Sequence, residues 1–219
     1  MMMEQPKIMI EIWSDIVCPF CYIGKRHLEM ARESFEGKDE VKIIWKSFLL
    51  NPDLKTDTEL TLYEYLSQSK GISMPQVKAM TERVLEMASA AGLQYRLDEA
   101  VVANSLNAHR LLHFAQENGK GTETKERLLS AYFCEAKNID DTNVLKALAA
   151  ELGLNKEESN DVISTERYKL EVLKDYQMAS HFGISGVPFF VFNRKFAISG
   201  AQPVELFIQT FEKAASAAN

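Results

Sequence analysis

Long apolar runs are missing from this sequence: no stretch approaches the roughly 20 residues that an apolar helix needs to cross a bilayer, so a membrane span is set aside. Positive charge is also scarce. Lys and Arg number 25 against 31 Asp and Glu, a formal charge of −6, and no basic surface of the kind that holds a nucleic-acid backbone is implied. The opening MMMEQPKIMIEIW has no cationic leader, no apolar stretch of signal-peptide length and no small-residue cleavage site, so the expected location is the cytoplasm. Pro, Ser and Gly never cluster into a linker, and neither repeats nor low-complexity segments are present. Cysteine is rarer still, with three in 219 residues. Two of the three form Cys18-Pro19-Phe20-Cys21, and in a reducing compartment a close pair is more often catalytic or metal-binding than a structural staple.

What is present is an ordinary globular composition, 46% hydrophobic and 26% charged, enough for one sizeable core. Residues 7–13, KIMIEIW, favour β structure and are bounded by Pro6 and by Ser14-Asp15, which predicts a buried strand. Residues 20–35 carry Ile23, Leu28, Ala31 and Phe35 at helical spacing, and residues 41–48, VKIIWKSF, read as a second strand. Strand, helix, strand is a βαβ unit, with parallel strands and a right-handed crossover. From Thr61 to about Phe182 the pattern is helical, with breaks at Gly71, Met74-Pro75, Gly92, Asn118-Gly119 and Gly153. Strands return only at 187–193 and 195–199, around a short hairpin connection at Asn193-Arg194, before a last amphipathic helix opened by Pro203. The expected organisation is therefore an α/β domain made of residues 1–55 and 165–219, interrupted by an all-helical insertion at 56–164.

Cys18 falls where the first strand has ended and the first helix begins. Free N–H groups and the macrodipole at a helix N-terminus stabilise a thiolate there, and Pro19 suits the first turn, where its missing donor is harmless. Cys21, one turn on, is near enough to attack a mixed disulfide on Cys18. On this reading Cys18 is the exposed nucleophile and Cys21 the buried resolving thiol. A metal half-site needs two further ligands. Cys134 stands alone, and although His109 and His113 have the i, i+4 spacing of a helical metal pair, Arg110 occupies the place of the zinc-protease glutamate, so no metal is expected. An inert, accidental pair is the third reading.

A Cys-Pro-x-Cys after the first strand, a helical insertion and then GISGVPFFVFN resemble the DsbA-like branch of the thioredoxin superfamily. More narrowly, SDIVCPFCYIGKRHLE, NAHRLLHFA and GVPFFVFNRKFAISGAQP look like the FrnE-type cytoplasmic thiol–disulfide oxidoreductases of that branch. The resemblance covers nearly the whole chain and implies a thioredoxin fold with a large helical insertion. It also implies that Pro188 is cis and faces the cysteines, that the Val187 backbone pairs with an extended substrate, and that Asn104, His109 and Arg110 face the cleft. The bland alternative for that last segment is a helix burying Leu106, Leu111, Leu112 and Phe114. No bound cofactor is implied. Glutathione is a candidate co-substrate, the partners are protein or small-molecule thiols and disulfides, and the assembly is a monomer or homodimer.

Between the cysteines stands Phe20, where strongly oxidising relatives have a histidine that holds the thiolate; an aromatic ring offers no charge-assisted hydrogen bond, so a less oxidising pair is expected. Asp15 is expected to cap the loop or helix start, with proton transfer as its other role. Lys25 and Arg26 read as a solvated face, and Cys134 as a small buried hydrophobe. The same resemblance extends to hydroxychromene carboxylate isomerases and kappa-class glutathione transferases, which usually carry serine at the first cysteine position. A non-catalytic module that holds peptides at Val187-Pro188 is the remaining alternative.

Overall fold

The segment IMIEIWS is buried along its length except at Met9, the pattern of a strand covered on both faces. It is β1 (Ile8–Ser14), and α1 (Pro19–Glu33) leads from it to β2 (Val41–Ser47). Then come β3 (Asp57–Thr61), α2 (Leu62–Lys70), α3 (Met74–Ala90), β4 (Val101–Val102), α4 (Leu106–Glu117), α5 (Gly121–Phe133), α6 (Thr142–Glu151), α7 (Lys156–Ser164) and α8 (Lys169–His181). β5 (Phe189–Phe192), β6 (Phe196–Ser199) and α9 (Val204–Ser216) come last. The computed structural model describes residues 7–217. Pro6, expected to bound the first strand, and the rest of the opening segment up to it lie outside the described residues.

The main sheet has the order β2-β1-β5-β6. β1 and β2 are parallel, with Ile8 opposite Val41 and Ser14 opposite Ser47, as a helical crossover requires. β5 is antiparallel to β1, with Ile12 opposite Phe190, and β6 is antiparallel to β5. The hairpin turns at Asn193 and Arg194, both at positive φ, where Asn193 Oδ1 accepts from Met9 N at 2.7 Å and Arg194 grips Glu11 through both carboxylate oxygens.

One sheet face carries α1 and α9, where Phe190 meets Phe207 at 4.9 Å and Phe192 meets Phe211 at 5.3 Å between ring centroids. On the other, Trp13, Phe48, Ala179 and Ile184 form a second cluster, to which α8 contributes Ala179. Each such fully buried large side chain is worth ~1.5–3 kcal/mol relative to leaving it in water. At β2, Gln116 Oε1 of α4 accepts from Trp45 N at 2.8 Å and Thr122 Oγ1 of α5 from Trp45 Nε1 at 3.2 Å.

The insertion is not all helical. β3 and β4 pair antiparallel, Asp57 opposite Val102 and Thr61 opposite Val101. β3 is the exposed, polar DTELT, with no alternation to reveal it, and β4 is two residues long. The break expected at Met74-Pro75 is the start of α3, with Pro75 in its first turn and Gln76 Oε1 accepting from Ser73 N at 2.9 Å.

Candidate active site

Cys18 is the N-cap of α1 in extended backbone conformation, with Pro19 at the first helical position and no acidic side chain in the first turn. The positive end of this helix is thus turned on Cys18 without a carboxylate to neutralise it. Tyr95 Oη donates to Pro19 O at 2.8 Å and pins the turn. Both cysteines are free thiols and both are buried. The expected exposed nucleophile is in fact only 4% exposed, against 1% for Cys21, because Val187 closes over it: Cys18 Sγ donates to Val187 O at 3.5 Å. Phe20 turns outward and is exposed.

The two thiols titrate as one unit. The hydrogen bond to Cys21 pushes the Cys18 thiol well up, and burial adds to it. In Cys21 burial also pushes upward, but the hydrogen bond from Cys18, the Lys125 ammonium and the Ser14 hydroxyl together bring it below its ordinary value. The pair therefore gives up its first proton more easily than its second.

Beneath the pair lies a buried polar floor. Lys125 of α5 is completely buried, its Nζ donating to Ser14 O at 3.5 Å and lying 5.5 Å from the centroid of the Trp45 ring. Burial pushes this ammonium down to about 8. Asp15, also buried, does not cap α1; it caps the preceding loop, accepting from Leu50 N at 2.8 Å and Val17 N at 3.4 Å, and from His109 Nε2 at 3.2 Å. Burial pushes the Asp15 carboxyl up, but His109, Leu50 and Ser105 outweigh it and hold the group below its ordinary value. Burial pushes His109 down, and its Nδ1 has no partner, so the ring is neutral with its proton on Nε2.

The Val187–Pro188 peptide bond is cis. Pro188 packs against α1 at Gly24, where an added Cβ would lie 3.0 Å from Pro188 Cγ and 3.2 Å from Phe190 Cζ. Only the absence of a side chain at Gly24 lets the loop before β5 come this close to the helix that carries the cysteines.

Three residues expected at the cleft are used elsewhere. His109 is fully buried on Asp15, and Arg110 is 3% exposed, its guanidinium donating to the carbonyls of Val162, Thr165 and Arg167 and so tying the end of α7 to α4. The Asn104 amide donates to Leu54 O at 2.7 Å and its oxygen accepts from Leu106 N at 2.8 Å. His109 is thus spent on the Asp15 carboxylate, and Arg110 and Asn104 chiefly on backbone groups. Lys25 is not solvated either: at 2% exposure it bonds Glu126 and Glu29, and Arg26 joins the same Glu126. Cys134 is half-buried at the end of α5 rather than buried. Among the described residues no cluster of His, Cys, Asp and Glu is arranged to hold a metal ion.

Sequence reasoning missed Lys125 and Gly24. A signal existed for both: Gly24 interrupts an otherwise regular helical pattern, and Lys125 shares the apolar stripe of Gly121, Leu128, Leu129 and Tyr132 at i−4, i+3, i+4 and i+7.

A family model of the DsbA-like thioredoxin domain matches residues 9–212. A protein of Bacillus subtilis (strain 168), the uncharacterized YwbO, is 30% identical over 204 residues, covering 90% of this chain and 92% of its own length. The crystal structure of the probable DsbA oxidoreductase SCO1869 of Streptomyces coelicolor superposes with a TM-score of 0.88 at 34% identity, over 95% of this chain and 90% of that one. The cytosolic disulfide reductase DsbM of Pseudomonas aeruginosa shares the fold, with a TM-score of 0.68 at 19% identity over 95% of this chain and 99% of its own, and has also been solved with GSH. With the match running from the first strand into the last helix, this chain belongs to the DsbA-like thioredoxin domain family.

Proposed function

We propose that the protein is a thiol–disulfide oxidoreductase in which Cys18 is the attacking sulfur and Cys21 the resolving one. The observation that carries this reading is the free cysteine pair at the N-terminus of α1, Cys18 as its N-cap and Cys21 in the first turn, with Cys18 Sγ donating to Val187 O beside the cis Pro188. In the reducing direction the proton that Cys18 keeps in the resting pair passes to the Cys21 thiolate, and the Cys18 thiolate so formed attacks one sulfur of a substrate disulfide. The substrate S–S bond breaks, and the released sulfur leaves as a thiolate that takes up a proton. Cys21, deprotonated, then attacks the Cys18 sulfur of the mixed disulfide. The second substrate sulfur leaves, Cys18 and Cys21 end joined, and two electrons have passed to the substrate. Run backwards, the same steps oxidise a dithiol.

Substrate disulfides or thiols of proteins or small molecules fit this chemistry, with no bound cofactor in the cycle. A small thiol such as glutathione regenerates the dithiol, a reading that the solution of DsbM with GSH supports. Val187 O accepts the Cys18 S–H in the dithiol state; once that proton leaves, the carbonyl is free to take an N–H from an extended substrate. Pro188, seated against Gly24, backs this edge. We place the reaction in the cytoplasm, and among the described residues no helix is long and apolar enough to cross a membrane.

The test is trapping. Cys21→Ser should accumulate a mixed disulfide between Cys18 and added glutathione disulfide, visible by intact mass, whereas Cys18→Ser should not. If Cys18→Ser instead sustains glutathione-dependent isomerase or transferase turnover, the oxidoreductase reading is wrong.

A further inference from the structure

A fully buried ammonium needs an anion, and Lys125 has no carboxylate within ion-pairing distance among the described residues. The contrast with Lys25 is direct: that lysine, nearly as buried, holds Glu29 and Glu126. Desolvating a charge without a partner is among the more costly things a fold does. Lys125 Nζ meets the end of β1 at Ser14 O, 3.5 Å away and four residues before Cys18. Cys21, Asp15 and Cys18 attract its ammonium and Lys25 opposes it. From α4, His109 lies within reach of the same charge but is neutral, and Tyr95, between α3 and β4, faces the cysteines with its phenol protonated, burial pushing it upward. Asp15 is already shared among His109, Leu50 and Val17. The group left without a counter-charge of its own is the thiolate.

Two further features agree. The Ser14 hydroxyl is buried and without a hydrogen-bond partner, so its O–H is free for an anion formed at Cys21. The rotation of α5 is also fixed by the next residue, since Glu126 is held from α1 by Lys25, Arg26 and Tyr22. With Glu126 facing α1 and Arg127 paired outward to Glu135 and Glu151, the helix sets Lys125 inward over Trp45.

We infer that Lys125 is a positioning residue for the dithiol, the cation contributed by the insertion that holds the thiolate of the Cys18–Cys21 pair in its buried site. Resting on the oxidoreductase reading, this assigns to the floor of the site the charge that Phe20 does not supply from its rim. The attraction is reciprocal: whatever the thiolate does for the ammonium, the ammonium does for the thiolate. When the cysteines join, the anion is gone and Lys125 is left uncompensated. The disulfide form is thereby disfavoured, and the protein is a better oxidant than its Cys-Pro-Phe-Cys sequence suggests.

The experiment compares the full chain with Lys125→Met, Lys125→Gln and Lys125→Arg. Thiolate ultraviolet absorbance against pH reads the ionisation, and equilibration with graded glutathione reads the couple. Both neutral variants should ionise at higher pH and shift about tenfold toward disulfide, equivalent to a potential about 30 mV more negative for a two-electron couple. Lys125→Arg should stay near wild type. Leu129→Ala, on the same stripe, should lower stability without moving the ionisation, which separates a packing effect from a charge effect. Folded neutral variants with unchanged ionisation and unchanged equilibrium overturn the inference. If the wild type forms no Cys18–Cys21 disulfide while the neutral variants still ionise later, the oxidoreductase reading fails and the role of Lys125 stands.

Discussion

Replacing Lys125 by methionine should stabilise the fold while detuning the cysteines. Burial brings the folded-state value to about 8, against 10.5 for the free side chain, so the unfolded chain holds this proton more tightly than the folded one. Below pH ~8, where the lysine is charged in both states, that gap is a penalty of ~3 kcal/mol on the folded state. Between about 8 and 10.5 the unfolded state binds more protons, and wild-type stability therefore rises with pH through that window. Methionine is apolar, unbranched and similar in length, so the contact with Trp45 is largely kept. Loss of the cation over the Trp45 ring takes back ~0.5–2 kcal/mol, leaving a net gain of about 1–3 kcal/mol at neutral pH. Urea unfolding should show a higher midpoint for Lys125→Met at pH 7 with an unchanged slope, and the gap should close as pH passes 8 toward 10.5. It should be wider for the oxidised protein, in which no thiolate compensates the ammonium. A variant less stable than wild type at neutral pH, or a gap that ignores pH, would refute the reasoning.

Gly24→Val puts methyl groups where a Cβ alone would lie 3.0 Å from Pro188 Cγ; the overpacking should cost ~1–3 kcal/mol and slow thiol exchange, and an unchanged melting temperature and rate would count against the close fit described. Arg110→Met strips the donors from Val162 O, Thr165 O and Arg167 O, which should cost ~3 kcal/mol in urea unfolding while leaving the glutathione equilibrium in place; a raised KM at unchanged stability would restore the substrate-facing role. The folded values of both His109 and Asp15 are depressed. Stability from His109 is thus fully present above pH 6.5 and lost as pH falls toward its folded value, and Asp15 adds a second loss below 3.8. His109→Gln should flatten the first part of that acid limb in a pH series of unfolding midpoints, and an unaltered profile would remove His109 from it.

The parts of the fold that could be read from the chain are those written in neighbouring residues. The β1–α1–β2 unit, the cysteines at the start of α1 and the strand after Val187-Pro188 each carry their own periodicity or turn residues. β3 could not be read, because DTELT is solvent-exposed and polar and is held by a two-residue partner far along the chain. The site was legible at its rim and obscure at its floor. Lys25, Lys125, His109 and Arg110 look like surface letters, and their burial depends on partners about 50 to 110 residues away in sequence. Even so, Lys125 lies on the apolar stripe of its helix, and a charged residue there is a signal that helical periodicity alone could have raised. The expected exposure of Cys18 failed for a similar reason: the Val187 carbonyl that covers it lies 169 positions on.

The most direct test of the central claim is the equilibrium of the purified protein against graded reduced and oxidised glutathione, read by thiol trapping with Cys18→Ser as control. The expected result is a reversible Cys18–Cys21 couple that Cys18→Ser abolishes. A dithiol that stays reduced across the whole series, in a folded protein, would contradict it.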